Sequence, residues 1–238
     1  LGAFIAAYIG IELGHLVAGR TKIDLLVTPA VTILTGGAVG IIVGPPISRF
    51  MSWLGGIINW GTEQQPIVMG IVVSVVMGMV LTLPISSAAL GIILGLNGVA
   101  AGAATIGCCC QMVTSYRDNG FGGLLSQGLG TSMLRVPNIV RRPLIWVPPI
   151  LSSAILGPIA ISPLFHMVNN ATGSGMGTSG LVGPIMTYQT MAATESPVLV
   201  LIKIMIFHFL LPAVVTMGIA QGMRKMGYIR NGDMKLHV

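Results

Sequence analysis

Charged side chains are scarce in this 238-residue chain, at 8% of residues against about a quarter in an ordinary soluble domain. A water-facing surface cannot be built from so few charges, which excludes a soluble globular enzyme. Aromatic residues are also few, at 5%, and the twelve Lys and Arg are scattered rather than interleaved with aromatics on one face. That pattern argues against nucleic-acid binding and is typical of the basic excess that membrane proteins carry in cytoplasmic loops.

Cysteine is limited to three adjacent residues, Cys108, Cys109 and Cys110, inside an apolar run. Adjacent cysteines form neither a disulfide framework nor a spaced metal site, so we interpret them as packing residues. The sequence also lacks a phosphate-binding loop. We therefore expect no metal, no cofactor and no self-contained catalytic site.

Apolar and small residues make up most of the chain, which has 53% hydrophobic residues and 33 glycines. A helix needs about 20 apolar residues to cross a bilayer, and glycine lets such helices approach closely. The sequence predicts an all-α, polytopic transmembrane helix bundle. The candidate spans are residues 1–18, 25–45, 66–83, 88–113, 144–165 and 198–221.

Three shorter stretches rich in glycine and hydroxyl residues lie between these spans, at residues 49–61, 121–134 and 179–193. Their length favours interfacial or re-entrant segments, because irregular backbone at membrane depth must be buried in protein or line a wet cavity. Many prolines within or beside the apolar runs also favour broken helices. Examples are Pro29, Pro45, Pro46 and Pro158.

The domain organisation is predicted to be a single membrane-embedded domain over residues 1–238, with possible halves 1–119 and 120–238. The halves rest on a weak repeat, in which residues 22–29 align with 141–148 at an offset of half the chain. The chain starts at Leu1 inside an apolar run, so we expect an N-terminal part to be missing. Two topologies are open: either residues 121–134 cross the membrane, or they and residues 179–193 are both re-entrant. In both, Arg135, Arg141, Arg142 and the tail from Arg224 face the cytoplasm.

Ionisable residues inside a membrane are expensive and are functional candidates by default. Glu12 and His15 share one face of the first apolar run, and either a structural polar pair or a substrate-facing pair fits them. Lys203 and His208 lie in the last span. We interpret Lys203 as reaching the interface and His208 as a satisfied core histidine.

Glu195 is the sharper candidate, because Thr194-Glu195 lies just before Pro197 and after a stretch rich in glycine and serine. Exposed backbone amides and carbonyls together with one carboxylate could hold a polyhydroxylated ligand, although helix capping is the alternative. We expect Glu195 to share a polar pocket with residues 177–180. Two Gly-Thr-Ser triplets offer further hydroxyls, and they too could simply cap helices. They are Gly130-Thr131-Ser132 and Gly177-Thr178-Ser179.

A family resemblance rests on four elements taken together. They are Arg135-Val136-Pro137-Asn138-Ile139-Val140, Pro143-Leu144-Ile145-Trp146-Val147-Pro148-Pro149, Gly177-Thr178-Ser179-Gly180-Leu181-Val182-Gly183-Pro184 and Thr194-Glu195. As a set, and over most of the chain, they resemble the EIIC-like membrane proteins of the bacterial phosphotransferase system, in particular the PfoR-type group named for a putative toxin regulator.

This resemblance implies a permease unit in the bacterial cell membrane that binds and translocates a sugar or related polar solute. It also implies a homodimer and phosphoryl-transfer partners of EIIA and EIIB type, which makes the chain at most the membrane subunit of a phosphotransferase system. Thr194-Glu195 is similar to the Gly-Ile-Thr-Glu type motif of sugar-transporting EIIC proteins, with Ala192 and Ala193 replacing the first two residues. The alternative function is a PfoR-type membrane sensor that binds a solute without transporting it.

Overall fold

The computed structural model describes residues 2–20, 24–83, 86–112 and 116–236. Helices dominate the described residues, and no strand forms among them. Three helices are long and apolar enough to cross a bilayer: Leu26–Gln64, Pro143–Ile161 and Pro197–Lys225. The prediction of an all-α membrane bundle is confirmed. Lys22, Ile23 and Val113, which belonged to the predicted repeat and spans, lie outside the described residues.

Contacts divide the chain into two compact units, Leu1–Leu54 and Gly55–Val238. In the first unit, α1 (Gly2–Val17) packs on the first part of α2 (Asp24–Gln64). A Cβ added at Gly10 would lie 2.8 Å from the carbonyl oxygen of Thr32. The backbones therefore meet through small residues, as is common between membrane helices.

The helix α2 corrects one prediction, because residues 49–61 do not form a separate interfacial segment. They continue a single helix of 41 residues that contains Pro29, Pro45 and Pro46. A membrane helix tolerates internal prolines when neighbouring groups satisfy the freed carbonyls. The apolar pattern predicted a membrane helix here, but the helix does not end at the prolines.

Residues 88–113 are also corrected, since they form two helices rather than one span. Helix α4 (Ser87–Leu94) ends at Gly95, whose φ of 62° is left-handed, and α5 (Gly98–Cys110) starts after Asn97. A glycine in this conformation is the commonest helix terminator. The Asn59 amide, from the last turns of α2, donates to the Gly95 carbonyl oxygen at 2.8 Å and holds this break in place.

Helix α5 packs between α3 (Pro66–Thr82) and α8 (Val147–Ile161). The helices meet through glycine and serine. The Ser74 hydroxyl donates to the Ser153 carbonyl oxygen at 2.8 Å, and the Ser153 hydroxyl donates to the Gly107 carbonyl oxygen at 3.2 Å. A Cβ at Gly107 would collide with the Ser74 backbone. These residues set the spacing of the three helices.

A first hairpin covers residues 116–135. It begins with α6 (Tyr116–Leu125), passes through a π-helical turn at Ser126–Gly130, and returns through a 3₁₀ turn at Ser132–Arg135. At the start of the hairpin, Asp118 contacts Arg224 and the backbone of Met234 in the C-terminal tail. At its end, the Arg135 guanidinium donates to the carbonyl oxygen of Gln111, which precedes the hairpin in sequence. Since α7 (Val136–Arg141), which follows, also contacts the tail through Asn138, the hairpin enters and leaves at the tail end of the unit. Both ends of residues 116–135 therefore lie at one end of the unit, which favours the topology in which this segment is re-entrant.

A second hairpin covers residues 169–195 and enters from the opposite end, where α5 begins. It contains the single turn α9 (Ala171–Ser174), a 3₁₀ turn at Ser179–Leu181 and α10 (Val182–Met191). The backbone N–H of Asn169 donates to the Gly98 carbonyl oxygen at 3.1 Å, which holds the first residue of the hairpin beside the start of α5. Residues 179–193 form the tip and the returning arm of this hairpin, and their re-entry from one side of the membrane stays a prediction.

The last span runs through α11 (Pro197–Ile204), a π-helical turn at Met205–Leu210 and α12 (Leu211–Lys225). At its end, Arg224 forms a two-pronged ion pair with Asp118, at 3.0 and 2.8 Å. The two side chains are 7% and 5% exposed. Burial alone would raise the pKa of Asp118, but the hydrogen bonds and charge of Arg224 and the amides of Gly232 and Met234 outweigh it and lower that pKa.

We predict that Gly107→Ala destabilises the protein by about 2 kcal/mol or more, because its methyl group would push α5 away from α3. Gly218→Ala is the matched control: Gly218 is helical, exposed and has open space around it, so alanine should leave stability unchanged or raise it. Thermal unfolding of the purified proteins in detergent measures both. Equal midpoints for the two variants would contradict the spacing role of Gly107.

The Asp118–Arg224 pair should make stability depend on pH. Because folding lowers the pKa of Asp118, its contribution is present above the unfolded value of about 4 and is lost as pH falls through the lower, folded value. Asp118→Asn should cost about 3 kcal/mol near neutral pH, and the difference from the parent should shrink as pH falls below about 4. Unfolding midpoints measured across this range test the sign, and a difference independent of pH would contradict it.

Candidate functional site

The tips of the two hairpins meet inside the second unit. The Thr178 hydroxyl, at the tip of the second hairpin, donates to the carbonyl oxygen of Gly128, at the tip of the first, over 2.7 Å. These residues are 50 positions apart in sequence, and Thr178 is buried. Because the hairpins enter from opposite ends of the unit, their tips meet between those two ends.

The tip of the second hairpin has a backbone that few residues can adopt. Gly177 and Gly180 have φ of 54° and 56°, and Leu181 has φ of 58°. A side chain at Gly177 would also collide with Cys108 on α5. Glycine is therefore required at Gly177 both by conformation and by the close approach to α5. The tip backbone is closed by the Gly183 amide, which donates to the Gly177 carbonyl oxygen at 2.9 Å.

The tip of the first hairpin carries the other Gly-Thr-Ser triplet. Gly130 ends the π-helical turn, and the Thr131 hydroxyl accepts a hydrogen bond from the Met133 amide, which makes Thr131 a helix cap. The buried Ser132 hydroxyl donates to the Leu81 carbonyl oxygen at 3.3 Å and ties the returning segment to α3. The structure thus brings both triplets to one region, with Thr178 the residue that links the tips.

A cavity of about 290 Å³ lies beside this contact. The first hairpin, the second hairpin, the end of α5 and the π-helical turn of the last span all contribute to its wall. It is lined by Cys109, Met112, Leu124, Leu125, Gly128, Leu129, Thr178, His208, Phe209 and Ala213. The volume is at the lower end of the range for small-molecule sites.

Several buried polar atoms near this region have no hydrogen-bond partner among the described residues. They include the Ser179 hydroxyl at the second tip, the Thr187 hydroxyl on α10 and Nδ1 of His208. Buried polar groups are nearly always paired, and an ordered water is the usual partner where the protein provides none. Within the described part of the chain, no group of three or more His, Cys, Asp and Glu could hold a metal ion.

Glu195 lies at the far end of α10 from the tip. The ten residues of α10 rise about 15 Å, so Glu195 and residues 177–180 do not share one small pocket. Instead, Nζ of Lys203 donates to both carboxylate oxygens of Glu195, at 2.8 and 2.7 Å, and to the Phe165 carbonyl oxygen at 2.8 Å. Lys203 therefore pairs with a carboxylate and a backbone carbonyl group at this end of the hairpin.

Thr194 is exposed, and its hydroxyl donates to the Met191 carbonyl oxygen of its own helix at 3.1 Å. Glu12 and His15 lie on α1 in the first unit, and both side chains are exposed there. Sequence reasoning missed the pairing of Lys203 with Glu195, although their spacing of eight residues offered a signal, and missed the place of His208 in the cavity wall. A lone histidine in an apolar span gives no local sign of whether it has a partner.

The sequence matches the family described as Phosphotransferase system, EIIC, over residues 1–236. The chain belongs to the EIIC family. No curated protein and no solved structure matches it. Membership of the EIIC family supports a membrane permease unit for sugar transport, with a sugar substrate and EIIA and EIIB proteins as phosphoryl-transfer partners.

In this EIIC protein, the Thr194-Glu195 pair occupies the base of a hairpin rather than its tip. The carboxylate is the anchor that joins α10 to α11 and, through Lys203, to the loop at Phe165. The Glu195 and Lys203 side chains are 24% and 14% exposed, so most of this pair is withdrawn from water. Removing one partner leaves the other buried without compensation.

We predict that Glu195→Gln and Lys203→Gln each destabilise this EIIC protein by about 1–3 kcal/mol, because each leaves a hydrogen-bonded charge without its partner. The double variant should be less destabilised than the sum of the two, since neither charge then remains unpaired. Unfolding midpoints of all four proteins complete the cycle. Strict additivity would show that the ion pair contributes nothing to the fold.

Proposed function

We propose that this EIIC protein is a permease unit that binds a sugar-like solute where the two hairpin tips meet and moves it across the bacterial cell membrane. The observation that carries the proposal is the hydrogen bond between Thr178 and Gly128 beside the cavity. A solute bound there lies between a hairpin from one side of the membrane and a hairpin from the other. Moving either hairpin would open the cavity to one side only, which is the requirement of alternating access.

Two features support a phosphotransferase role for the tail end of the unit. The family match supports EIIA and EIIB proteins as the source of the phosphoryl group. The tail end carries a basic set that suits the cytoplasmic side. Its members include Arg117, Arg141, Arg142, Arg224, Lys225, Arg230 and Lys235.

The finer assignments belong to the proposal as well: a multi-pass protein of the bacterial plasma membrane, a homodimer, and the PfoR-type group. The family match over residues 1–236 supports treating both compact units as one membrane domain. The solute-contacting residues in this proposal begin with Thr178, Gly177 and Ser179 of the second tip. Gly130, Thr131 and Ser132 provide the facing tip, while solute contacts of Glu195, Thr194, Glu12 and His15 stay predictions.

We predict that Thr178→Val weakens solute binding about tenfold, because valine keeps the shape but removes the hydroxyl that joins the tips. Thr190→Val is the matched control, since the Thr190 hydroxyl donates only to the Met186 carbonyl oxygen of its own helix. A shift of the unfolding midpoint with a panel of monosaccharides and polyols identifies a binding probe and ranks the variants.

Counterflow of that probe in proteoliposomes separates transport from sensing. A permease unit should exchange labelled for unlabelled probe, and Thr178→Val should slow the exchange while Thr190→Val does not. Binding without counterflow would favour the PfoR-type sensor. Equal binding by Thr178→Val and the parent protein would remove the hairpin tips from the solute site.

A further inference from the structure

A second cavity lies at the tail end of the unit, between the start of α6 and the last turns of α12. Its volume of about 460 Å³ is within the range of small-molecule sites. It is lined by Tyr116, Arg117, Gly120, Met217, Ala220, Gln221 and Arg224. None of these residues lines the cavity at the hairpin tips, so the two cavities are separate.

The wall of this second cavity carries positive charge that is only partly neutralised. Arg224 is held by its two-pronged ion pair with Asp118. Arg117 is exposed, and among the described residues no carboxylate lies within ion-pair distance of it. No acidic side chain belongs to the described lining residues. The cavity therefore presents the Arg117 guanidinium without a counter-charge from the protein's described part.

The polar residues of the wall suit a phosphate group. A guanidinium group carries its N–H donors in a planar fork that matches two oxygens of a phosphate. The Tyr116 hydroxyl and the Gln221 side-chain amide can donate further hydrogen bonds, and both residues are exposed. Charge and donors together therefore favour an anion whose oxygen atoms accept several hydrogen bonds.

Gly120 leaves room beside these donors. Its φ of 58° and ψ of −155° lie in a region that glycine alone adopts readily, and they interrupt α6 after its first turn. A Cβ added at Gly120 would have no atom within 4 Å. Open space therefore lies beside the backbone three residues after Arg117.

The surroundings of the cavity favour a lipid as the bearer of the phosphate. Phe121, next to Gly120 on α6, is 65% exposed, and Val214, one turn before Met217 on the spanning helix, is 57% exposed. Exposed apolar side chains on a spanning helix lie against acyl chains. Met217 and Ala220 continue this apolar surface into the cavity wall. The cavity thus adjoins an apolar surface on one side and carries charge on the other, as a lipid does.

We infer that the cavity between α6 and α12 binds the phosphate of an anionic phospholipid, with Arg117 as the counter-charge and with Tyr116 and Gln221 as hydrogen-bond donors. Basic pockets between membrane helices on the cytoplasmic side are suited to anionic head groups. The bound lipid joins the base of the first hairpin to the end of the last span, beside the ion pair of Asp118 with Arg224. This inference goes beyond the proposed function, because it concerns a different cavity and a different ligand.

The test uses the purified full chain in detergent with three matched probes. They are short-chain phosphatidylglycerol, which has a net negative charge, short-chain phosphatidylcholine, whose phosphate carries a cation beside it, and glycerol 3-phosphate, which has no acyl chain. The shift of the unfolding midpoint compares them at equal concentration. We expect phosphatidylglycerol to raise the midpoint most, phosphatidylcholine to raise it less and glycerol 3-phosphate to leave it unchanged.

Two variants of equal net charge locate the site. Arg117→Gln should weaken binding of phosphatidylglycerol about tenfold, because it removes a charged donor from the cavity wall. Arg141→Gln is the matched control, since Arg141 is also exposed but does not line the cavity, and it should bind the lipid as the parent does. Tyr116→Phe removes one hydroxyl and should weaken binding by a smaller factor.

Two further measurements separate binding from stability. Because Arg117 is exposed and has no ion-pair partner among the described residues, Arg117→Gln should unfold at the parent's midpoint when no lipid is added. Native mass spectrometry counts the lipid bound to folded protein, so it reports affinity even for a variant of altered stability. A lowered lipid-free midpoint with unchanged lipid binding would show Arg117 to be structural and would overturn its role.

Each other contrary result overturns a different statement. Equal shifts with the two lipids would overturn the selection for a net negative charge. Equal losses in Arg117→Gln and Arg141→Gln would overturn the cavity as the site and leave a general attraction of lipid to basic residues. A shift with glycerol 3-phosphate as large as that with phosphatidylglycerol would overturn the lipid as the ligand in favour of a free phosphate ester. No shift with any probe would overturn the site itself.

Discussion

The close packing of α5 against α3 and α8 is the constraint on which the rest of the second unit depends. Gly107 allows the α5 backbone to touch that of α3. The Ser74 hydroxyl joins α3 to α8 by donating to the Ser153 carbonyl oxygen, and the Ser153 hydroxyl joins α8 to α5 by donating to the Gly107 carbonyl oxygen. Lipid offers no hydrophobic drive for helix association, so contact distance and internal hydrogen bonds determine which helices pair. A larger residue at the centre would separate the helices that fix both hairpins.

Helix α5 then acts as the surface on which the second hairpin is built. Near the start of α5, Gly102 lets the Met167 backbone lie close to the helix. Further along, the Thr105 hydroxyl lies 3.3 Å from the Gly173 carbonyl oxygen, and Cys108 lies against Gly177. The small residues of α5 are therefore matched one after another by the irregular backbone that runs beside them. Irregular backbone survives at this depth because protein covers it, as membrane proteins require.

Local sequence patterns predicted the features that depend on local physics. Apolar length predicted the bounds of the first, third and last apolar helices closely. Glycine-rich composition predicted that residues 121–134 and 179–193 would not be plain helices. Gly95, followed by Asn97, is a possible helix terminator in the sequence, but the long apolar run around it favoured a single span over residues 88–113. The reverse happened in α2, where Pro45 and Pro46 carried too much weight as helix ends.

The features that escaped prediction depend on long-range pairing. The contact of Thr178 with Gly128, the satisfaction of Asp118 by a tail more than a hundred residues away and the cavity wall at His208 all join separate elements. Glu195 shows the same limit over a shorter distance in sequence. The glycine- and serine-rich residues before it favoured a ligand site, whereas in the fold it pairs with Lys203 on the next helix. The residue types indicated that polar groups would interact inside the protein. Only the fold determined which of them pair.

The contacts at the two ends of each hairpin differ in strength, which bears on how the hairpins can move. The bases are fixed by charged groups, through Asp118 with Arg224 and Glu195 with Lys203, and a hydrogen bond to a charged group contributes about 1.5–3 kcal/mol. The tip-to-tip hydrogen bond from Thr178 to Gly128 is neutral, and such a bond contributes only about 0.5–1.5 kcal/mol. Breaking this bond therefore requires less free energy than breaking either ion pair, and in the proposed transport cycle the tips would separate while both hairpins stay attached to the bundle.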